Sequence, residues 1–140
     1  MIVVDTSYIV GLYRAGDAHN RAARGIQGEV EAGRWGSMML LEYVFLETMS
    51  VLLQRVGLAA ATEVGKTLLR GDEIQYVPCS GLFDRAWAEF QRQPGTRLSL
   101  TDITIAQYAL EHAEGRVLSF DQELRRVPGL KLLPATTGTE

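Results

Sequence analysis

The stretch Met1-Ile2-Val3-Val4-Asp5-Thr6-Ser7 decides the fold, because an acid directly follows a short run that is apolar at every position. An extended segment that is apolar on both faces is typical of a strand buried in a parallel sheet. Asp5, Thr6 and Ser7 are residue types that cap helices, so a helix is expected to begin directly after the strand. The stretch therefore predicts a strand–helix unit with a carboxylate at its junction.

Outward from this unit, the chain repeats the alternation of strand and helix. Short apolar runs and helical periodicity alternate, and glycines end the predicted helices. Alternation of this kind predicts a three-layer α/β domain with a mostly parallel sheet. Further strands are predicted at 35–39, 73–77, 116–120 and 130–133. Helices are predicted at 8–13, 18–32, 40–56, 59–70, 82–92 and 99–113, and a short helix begins at 121.

The composition is that of one ordinary globular domain. The chain has 140 residues, 46% of them apolar and 22% charged, which fits one core. We expect a single domain over 1–134 and a frayed tail over 135–140. The lone cysteine, Cys79, excludes an intrachain disulfide and a cysteine-based zinc site. No basic region precedes the first apolar run, and no apolar run is long enough to span a bilayer, so a cytoplasmic location without a membrane partner is expected.

The charge balance leaves nucleic-acid binding open. The net charge is −3, but net charge does not say where the charges lie. Twelve of the 14 cationic residues are arginine, the better clamp for phosphate, although arginine usage of the source would give the same count. Arg14, Arg21 and Arg24 are the candidates for phosphate contact, and a solvated helix face is their alternative role.

Two acids are predicted at the carboxyl edge of the sheet. Asp5 follows the first strand, and Asp121 follows the predicted strand over 116–120. In open parallel sheets, ligands bind at the carboxyl ends of the strands. Each aspartate alone is equally well explained as a helix N-cap. Two acids that end two buried strands favour a site, because their charges need compensation there.

Three more acids interrupt apolar helices. Asp102 follows Leu98-Ser99-Leu100-Thr101, where a first-turn acid would also complement the helix dipole. Glu42 and Glu47 both lie beside apolar side chains in the predicted helix over 40–56, and periodicity does not choose between them. A buried glutamate without a partner is costly, so at least one of the two is expected to have one.

A cluster of carboxylates without a histidine or cysteine set suits hard, oxygen-preferring ions such as Mg²⁺ or Mn²⁺. Such ions position a water nucleophile and neutralise the charge that builds up on a phosphate. Phosphodiester hydrolysis is the reaction class that follows.

Four segments resemble the acidic motifs of PIN-domain proteins, whose bacterial members include the VapC toxins of type II toxin–antitoxin systems. Met1-Ile-Val-Val-Asp-Thr-Ser7 resembles the first motif, and the stretch over 39–57 resembles the second in a register that selects Glu47. Leu98-Ser-Leu-Thr-Asp102 is similar to the third motif, and Leu118-Ser-Phe-Asp121 to the fourth. The order and spacing of the four segments carry the resemblance over residues 1–133.

The resemblance implies an α/β/α sandwich and a Mg²⁺- or Mn²⁺-dependent endoribonuclease. By position, Asp5, Glu47 and Asp102 would be the core metal ligands, and Asp121 would complete the site as a ligand or through water. Thr6 and Ser119 would orient these carboxylates by hydrogen bonds. Many relatives are homodimers, and the toxin members are silenced by an antitoxin, so a homodimer and a cognate antitoxin are the implied partners beside RNA.

Alternative functions and structural roles stay open at this point. The fold would also suit a catalytically silent module that binds RNA or protein, or an α/β phosphohydrolase of the haloacid-dehalogenase type. That class requires a second aspartate two residues after the first, and here position 7 is serine. Trp87 shares a helical face with Phe83 and Phe90, which predicts core packing rather than base stacking. The apolar helices over 40–56 and 59–70 would supply either a dimer or antitoxin surface or simply core.

Overall fold

The computed structural model describes residues 1–135, which are built around a five-stranded, all-parallel sheet. The chain lays the first three strands outward in one direction and then returns to the other side of the first strand. This reversal puts a topological switch point between the first and fourth strands, where α/β sheets bind ligands. The strands are β1 (Ile2–Val4), β2 (Met38–Leu41), β3 (Ile74–Val77), β4 (Arg116–Leu118) and β5 (Lys131–Leu133), in the spatial order β3-β2-β1-β4-β5.

Six α-helices cover this sheet, and the predicted α/β/α sandwich is confirmed. They are α1 (Thr6–Tyr13), α2 (Asn20–Glu31), α3 (Glu42–Val56), α4 (Leu58–Arg70), α5 (Phe83–Arg92) and α6 (Leu100–His112). Helix α1 packs on α2 and α3, α3 packs on α4, and α5 packs on α6. Two 3₁₀ helices, Ser80–Leu82 and Gln122–Arg126, fill connections. Positions 136–140 of the predicted frayed tail lie outside the described residues.

The core explains why the opening stretch is decisive. Ile2, Val3 and Val4 are each 0% exposed, and all four residues of β2 are buried. A strand with neighbours on both sides and helices on both faces has no solvent-facing position, so every side chain is apolar. Burial of each such side chain contributes roughly 1.5–3 kcal/mol.

The predicted boundaries of β2, α3 and β4 are wrong. The second strand was assigned to 35–39, but it covers Met38–Leu41, and the helix begins only at Glu42. A buried strand that runs directly into a helix gives one continuous apolar stretch, in which periodicity marks no junction. Strand β4 ends at Leu118 rather than at residue 120, because the N–H of Phe120 turns away to the hydroxyl of Ser7 (2.9 Å).

The predicted core position of Trp87 is also wrong. Trp87 is 44% exposed and Phe83 is 40% exposed, and Ala86 is the buried residue of α5. Helix α5 packs against α6 rather than directly on the sheet. Apolar residues at helical spacing therefore identify one face of this helix correctly but do not show that the face is covered.

In the part of the chain that the structure describes, no helix combines the length and apolar character needed to cross a bilayer.

Replacement of Gly115 by alanine should destabilise the protein by more than about 2 kcal/mol. Gly115 has a φ of +80°, and a Cβ there would lie 2.1 Å from the carbonyl oxygen of Gly129. Gly25, inside α2, has open space around its Cβ position, so Gly25→Ala should stabilise the protein by roughly 0.5–1 kcal/mol. Urea unfolding of both variants measures the two effects. Equal stability of the two variants would contradict this account of the turn.

Candidate active site

Asp5 combines a capping role with a place in a polar cluster. Its Oδ1 accepts a hydrogen bond from the Thr6 N–H (2.8 Å), which caps α1. Its Oδ2 accepts from the hydroxyls of Ser119 (2.6 Å) and Ser7 (3.1 Å). The side chain is only 3% exposed. Asp5 therefore has both roles at once: Oδ1 caps the helix, and Oδ2 belongs to the polar cluster.

The two serines join the ends of β1 and β4. The Ser7 hydroxyl accepts from the Phe120 N–H (2.9 Å), and the Ser119 hydroxyl accepts from the Asp121 N–H (3.0 Å). The same two hydroxyls donate to Asp5, so this serine pair fixes the segment that carries Asp121 relative to Asp5. Ser7 was not predicted as a site residue. The presence of a second hydroxyl residue after Asp5 was the sequence feature that could have identified it.

The structure corrects the proposed role of the Thr6 side chain. Only the backbone N–H of Thr6 bonds Asp5. Its hydroxyl instead lies against α3, where it contacts the Val44 carbonyl (3.5 Å) and the Thr48 hydroxyl (3.2 Å). The Thr6 side chain therefore anchors α1 to α3.

Asp102 and Asp121 are held by local backbone hydrogen bonds. Asp102 is the third residue of α6 and forms a capping box: its Oδ2 accepts from the Ser99 N–H (3.1 Å), and its own N–H donates to the Ser99 hydroxyl (3.0 Å). The Oδ1 of Asp121 accepts from the Glu123 N–H (2.9 Å) at the start of the 3₁₀ helix. Each of these acids is therefore oriented before any ligand is bound.

The structure separates the roles of Glu42 and Glu47, which periodicity left open. Glu42 begins α3, and its Oε1 accepts from the Cys79 N–H (2.8 Å). Glu47 lies one and a half turns further along the exposed side of α3 and faces the same cleft as the three aspartates. Glu42 thus ties the start of α3 to the loop after β3, whereas Glu47 remains available to a ligand.

Two of the four acids, Asp5 and Asp102, have raised pKa values. Burial raises the pKa of Asp5 to about 6, and the negative charge of Asp102 adds to this, although the bonds from Ser119, Thr6 and Ser7 lower it. Burial also raises the pKa of Asp102, and the charges of Asp121 and Glu47 raise it further. Each acid therefore lies within electrostatic range of another, and the group favours a bound cation.

All four acids line one acidic cleft of about 470 Å³. Among the described residues, Arg55, in the last turn of α3, is the one arginine of the cleft. Two further residues of the cleft, Asp17 and His19, were not predicted as site residues. The ring of His19 stacks on Phe120, with the centroids 4.3 Å apart. The cleft is lined by Asp5, Thr6, Ser7, Val10, Asp17, His19, Glu47, Val51, Arg55, Ser99, Asp102 and Asp121.

The three arginines expected to contact phosphate lie outside this cleft. Arg14 follows the last residue of α1, and Arg21 lies on the exposed side of α2. Arg24 lines a separate hollow with Tyr13 and Glu31. Sequence proximity to Asp5 suggested the rim of the site, but of the residues that follow α1 it is Asp17 and His19 that line the cleft. Their contact with RNA stays a prediction.

The donor chemistry of the cleft fits a hard divalent cation. Carboxylate oxygens are the ligands that Mg²⁺ and Mn²⁺ prefer, and a cation would relieve the repulsion between Asp102 and its neighbours. Within residues 1–135, no three side chains of histidine, cysteine, aspartate or glutamate converge closely enough to hold an ion as they stand. Glu47 is exposed, so its side chain is free to turn toward the aspartates.

Comparisons with known proteins agree with this architecture. A family model for the PIN domain matches residues 2–130. Mycobacterium tuberculosis VapC20, a sarcin-ricin loop cleaving toxin, superposes with a TM-score of 0.79 at 25% identity, covering 89% of this chain and 93% of that one. PAE2754 from Pyrobaculum aerophilum superposes with a TM-score of 0.58 at 18% identity, covering 94% and 82%, and shares the fold. A search of curated proteins gives no match.

Replacement of Asp5 by asparagine should stabilise the metal-free protein at pH 7.5 by roughly 1–3 kcal/mol. The pKa of Asp5 is about 6 in the folded protein and 3.8 in the unfolded chain, so the folded state binds more protons between these values. The wild type therefore loses stability as the pH rises from 4 to 6, and the asparagine variant lacks this loss. Urea unfolding in EDTA at pH 4.5 and 7.5 measures the difference between the two proteins.

The Asp5→Asn variant should have a larger free energy of unfolding than the wild type at pH 7.5, and most of this difference should disappear at pH 4.5. A variant that is less stable than the wild type at pH 7.5 would show that the hydrogen bonds to the Asp5 carboxylate outweigh its burial. Asp5 would then be primarily a cap.

Proposed function

We propose that this chain, which belongs to the PIN domain family, is a metal-dependent endoribonuclease that hydrolyses RNA phosphodiester bonds. The observation that carries the proposal is the arrangement of Asp5, Glu47, Asp102 and Asp121 on one cleft at the switch point of the sheet. Charges this close are costly unless a cation compensates them. An acidic cleft also requires that cation before it admits a phosphate.

The four acids would hold Mg²⁺ or Mn²⁺. Asp5, Glu47 and Asp102 are the proposed core ligands, and Asp121 completes the set directly or through water. When bound, such an ion supplies a water of lowered pKa and neutralises charge on the phosphate. The donor chemistry of the cleft and the membership of the PIN domain family support this proposal.

The residues around the acids hold the carboxylates in place. The hydroxyls of Ser7 and Ser119 both donate to Oδ2 of Asp5, so this oxygen is fixed and partly neutralised. The capping box restrains Asp102 from the other side of the cleft. Groups that orient metal ligands in this way contribute to affinity, because little side-chain freedom is lost on binding.

Arg55 is the proposed phosphate contact inside the cleft. Among the described residues it makes no ion pair, although five acids line the same cleft. A guanidinium that is not bound by a carboxylate has its donors available for two phosphate oxygens. Arg14, Arg21 and Arg24 remain the proposed contacts for RNA that extends beyond the cleft.

The biological role proposed for the protein is that of a toxin with a cognate antitoxin. The similarity to VapC20 over 89% of the chain supports it. A homodimer is proposed on the same basis. The exposed leucines of α4, Leu58 (70%) and Leu69 (57%), offer apolar surface for one of these protein contacts.

Two other functions have less support. An α/β phosphohydrolase of the haloacid-dehalogenase type would need an acid at position 7, where this chain has Ser7. The match to the PIN domain family also argues against that class. A silent binding module would not need to bury Asp5 and Asp102 at the cost of raised pKa values.

Asp102→Asn should abolish RNA cleavage, because it removes one proposed metal ligand and leaves the helix cap largely intact. Purified wild type and variant are incubated with RNA in Mn²⁺, Mg²⁺ or EDTA. The matched control is Asp84→Asn, since Asp84 is the first-turn acid of α5 and does not line the cleft. Mn²⁺ should raise the Tm of the wild type and of the control but not that of Asp102→Asn.

Cleavage that persists in EDTA and in the Asp102→Asn variant would come from a contaminant. Metal-dependent stabilisation without cleavage of any RNA would support the binding-module alternative instead.

Arg55→Ala should lower kcat/KM for RNA by roughly 10-fold or more, in line with the loss of one charge-assisted phosphate contact. Arg70→Ala is the matched control, because Arg70 occupies the last turn of the neighbouring α4 outside the cleft. Steady-state cleavage of a fluorogenic oligoribonucleotide measures both variants. Equal activity of Arg55→Ala and the wild type would exclude Arg55 as a substrate contact.

A further inference from the structure

We propose that a groove beside the acidic cleft binds an unpaired base of the RNA next to the cleaved phosphate. The groove, called here the base groove, has a volume of about 390 Å³ and is walled by Tyr43, Leu46, Phe83 and Leu100, with the hydroxyl residues Ser50 and Thr101. It lies where α3 faces the starts of α5 and α6. The inference rests on the proposed nuclease function and adds to it a site for the base.

The base groove is continuous with the acidic cleft. Glu47 lines both of them, so the two hollows meet at this side chain. Ser99 lines the cleft, and the next two residues of α6, Leu100 and Thr101, line the groove. If the cleaved phosphate of an RNA lies among the acids, the neighbouring nucleotide of that RNA therefore lies at the mouth of the groove.

The lining of the base groove suits a nucleobase rather than a phosphate. Its walls are mainly apolar, and no lysine or arginine among residues 1–135 lines it. A base has an apolar face and a polar edge, so it is satisfied by rings and aliphatic side chains together with a few hydroxyl groups. The one charged residue that lines it in the described part of the chain is Glu47, which repels a phosphate but can accept a hydrogen bond from a base amino group.

Helix α5 extends this surface as a row of aromatic rings. Phe83 and Trp87 are tilted by only 9°, with centroids 6.5 Å apart, and Trp87 and Phe90 by 14° at 5.7 Å. Phe83 and Trp87 are 40% and 44% exposed. Exposed parallel rings are the common means of binding single-stranded nucleic acid, because every base presents an aromatic face.

The apolar surface that suits a protein partner is a different one. Leu58 and Leu69, the most exposed leucines of α4, contribute nothing to the base groove. The groove adjoins the proposed catalytic cleft at Glu47, whereas Leu58 and Leu69 line neither hollow. An RNA base is therefore the occupant that the position and the lining favour.

The test compares two fluorescein-labelled RNA decamers, one normal and one abasic with the same sugar–phosphate backbone. Fluorescence anisotropy in Ca²⁺ gives Kd values, and a gel checks that the RNA stays intact. The wild type should bind the normal decamer roughly 10-fold more tightly than the abasic one, which corresponds to one stacked base. Phe83→Leu, which keeps an apolar side chain without a ring, should remove most of this difference and leave the abasic Kd unchanged.

Phe83→Tyr should restore the difference, because it restores the ring. Tyr76→Leu is the matched control, since Tyr76 is an aromatic of similar exposure (46%) on β3, outside the groove. It should leave both Kd values unchanged. Thermal unfolding verifies that each variant is folded.

Three results would overturn the proposal. Equal weakening of both decamers by Phe83→Leu would mean that the ring supports the fold, and no change would mean that the groove holds no base. A shift in sedimentation coefficient caused by Phe83→Leu would assign the groove to a second copy of the chain. A base-dependent Kd in a protein that cuts no RNA would uphold the base groove and overturn the proposed function.

Discussion

A carboxylate at the end of a strand from which water is excluded is the constraint on which the site depends. Asp5 follows three fully buried residues and is itself almost inaccessible. A buried charge must be met by hydrogen bonds or by an opposite charge. The Thr6 N–H and two serine hydroxyls supply the hydrogen bonds, and they draw α1 and the end of β4 around the acid. The raised pKa shows that this compensation is incomplete.

The remaining acids follow from this arrangement. Asp121 reaches the cleft because the Ser119 hydroxyl, which donates to Asp5, also accepts the Asp121 N–H. Asp102 is aimed by its capping box, and Glu47 by its position on α3. Stability and ligand binding are therefore opposed at this edge of the sheet. The features that cost the metal-free protein stability are those that give a cation its affinity.

The architecture could be predicted well from the sequence, because the strands and the ends of the helices have strong local sequence patterns. Strands that are buried on both faces, such as Ile2–Val4, are continuous apolar runs, and Gly57 and Gly71 follow the helices that they were expected to end. The junction of β2 and α3 was misplaced because a buried strand and a buried helix look alike there. Arg55 and Ser7 were missed because their importance lies in what they face across the fold. The exposure of Trp87 was not predicted, because periodicity identifies the apolar face of a helix but does not show whether another element packs on that face.

The serine pair has a consequence for when the cleft forms during synthesis of the chain. Ser119 lies 114 residues from the Asp5 carboxylate to which it donates, and Asp121 follows it. A ribosome-bound chain that has not yet exposed this segment has β1 without β4 beside it and Asp5 without its strongest partner. The cleft is therefore assembled only when nearly all of the described chain is available to fold. The order of the acids along the chain thus delays the complete site until the segment that follows β4 is available to fold.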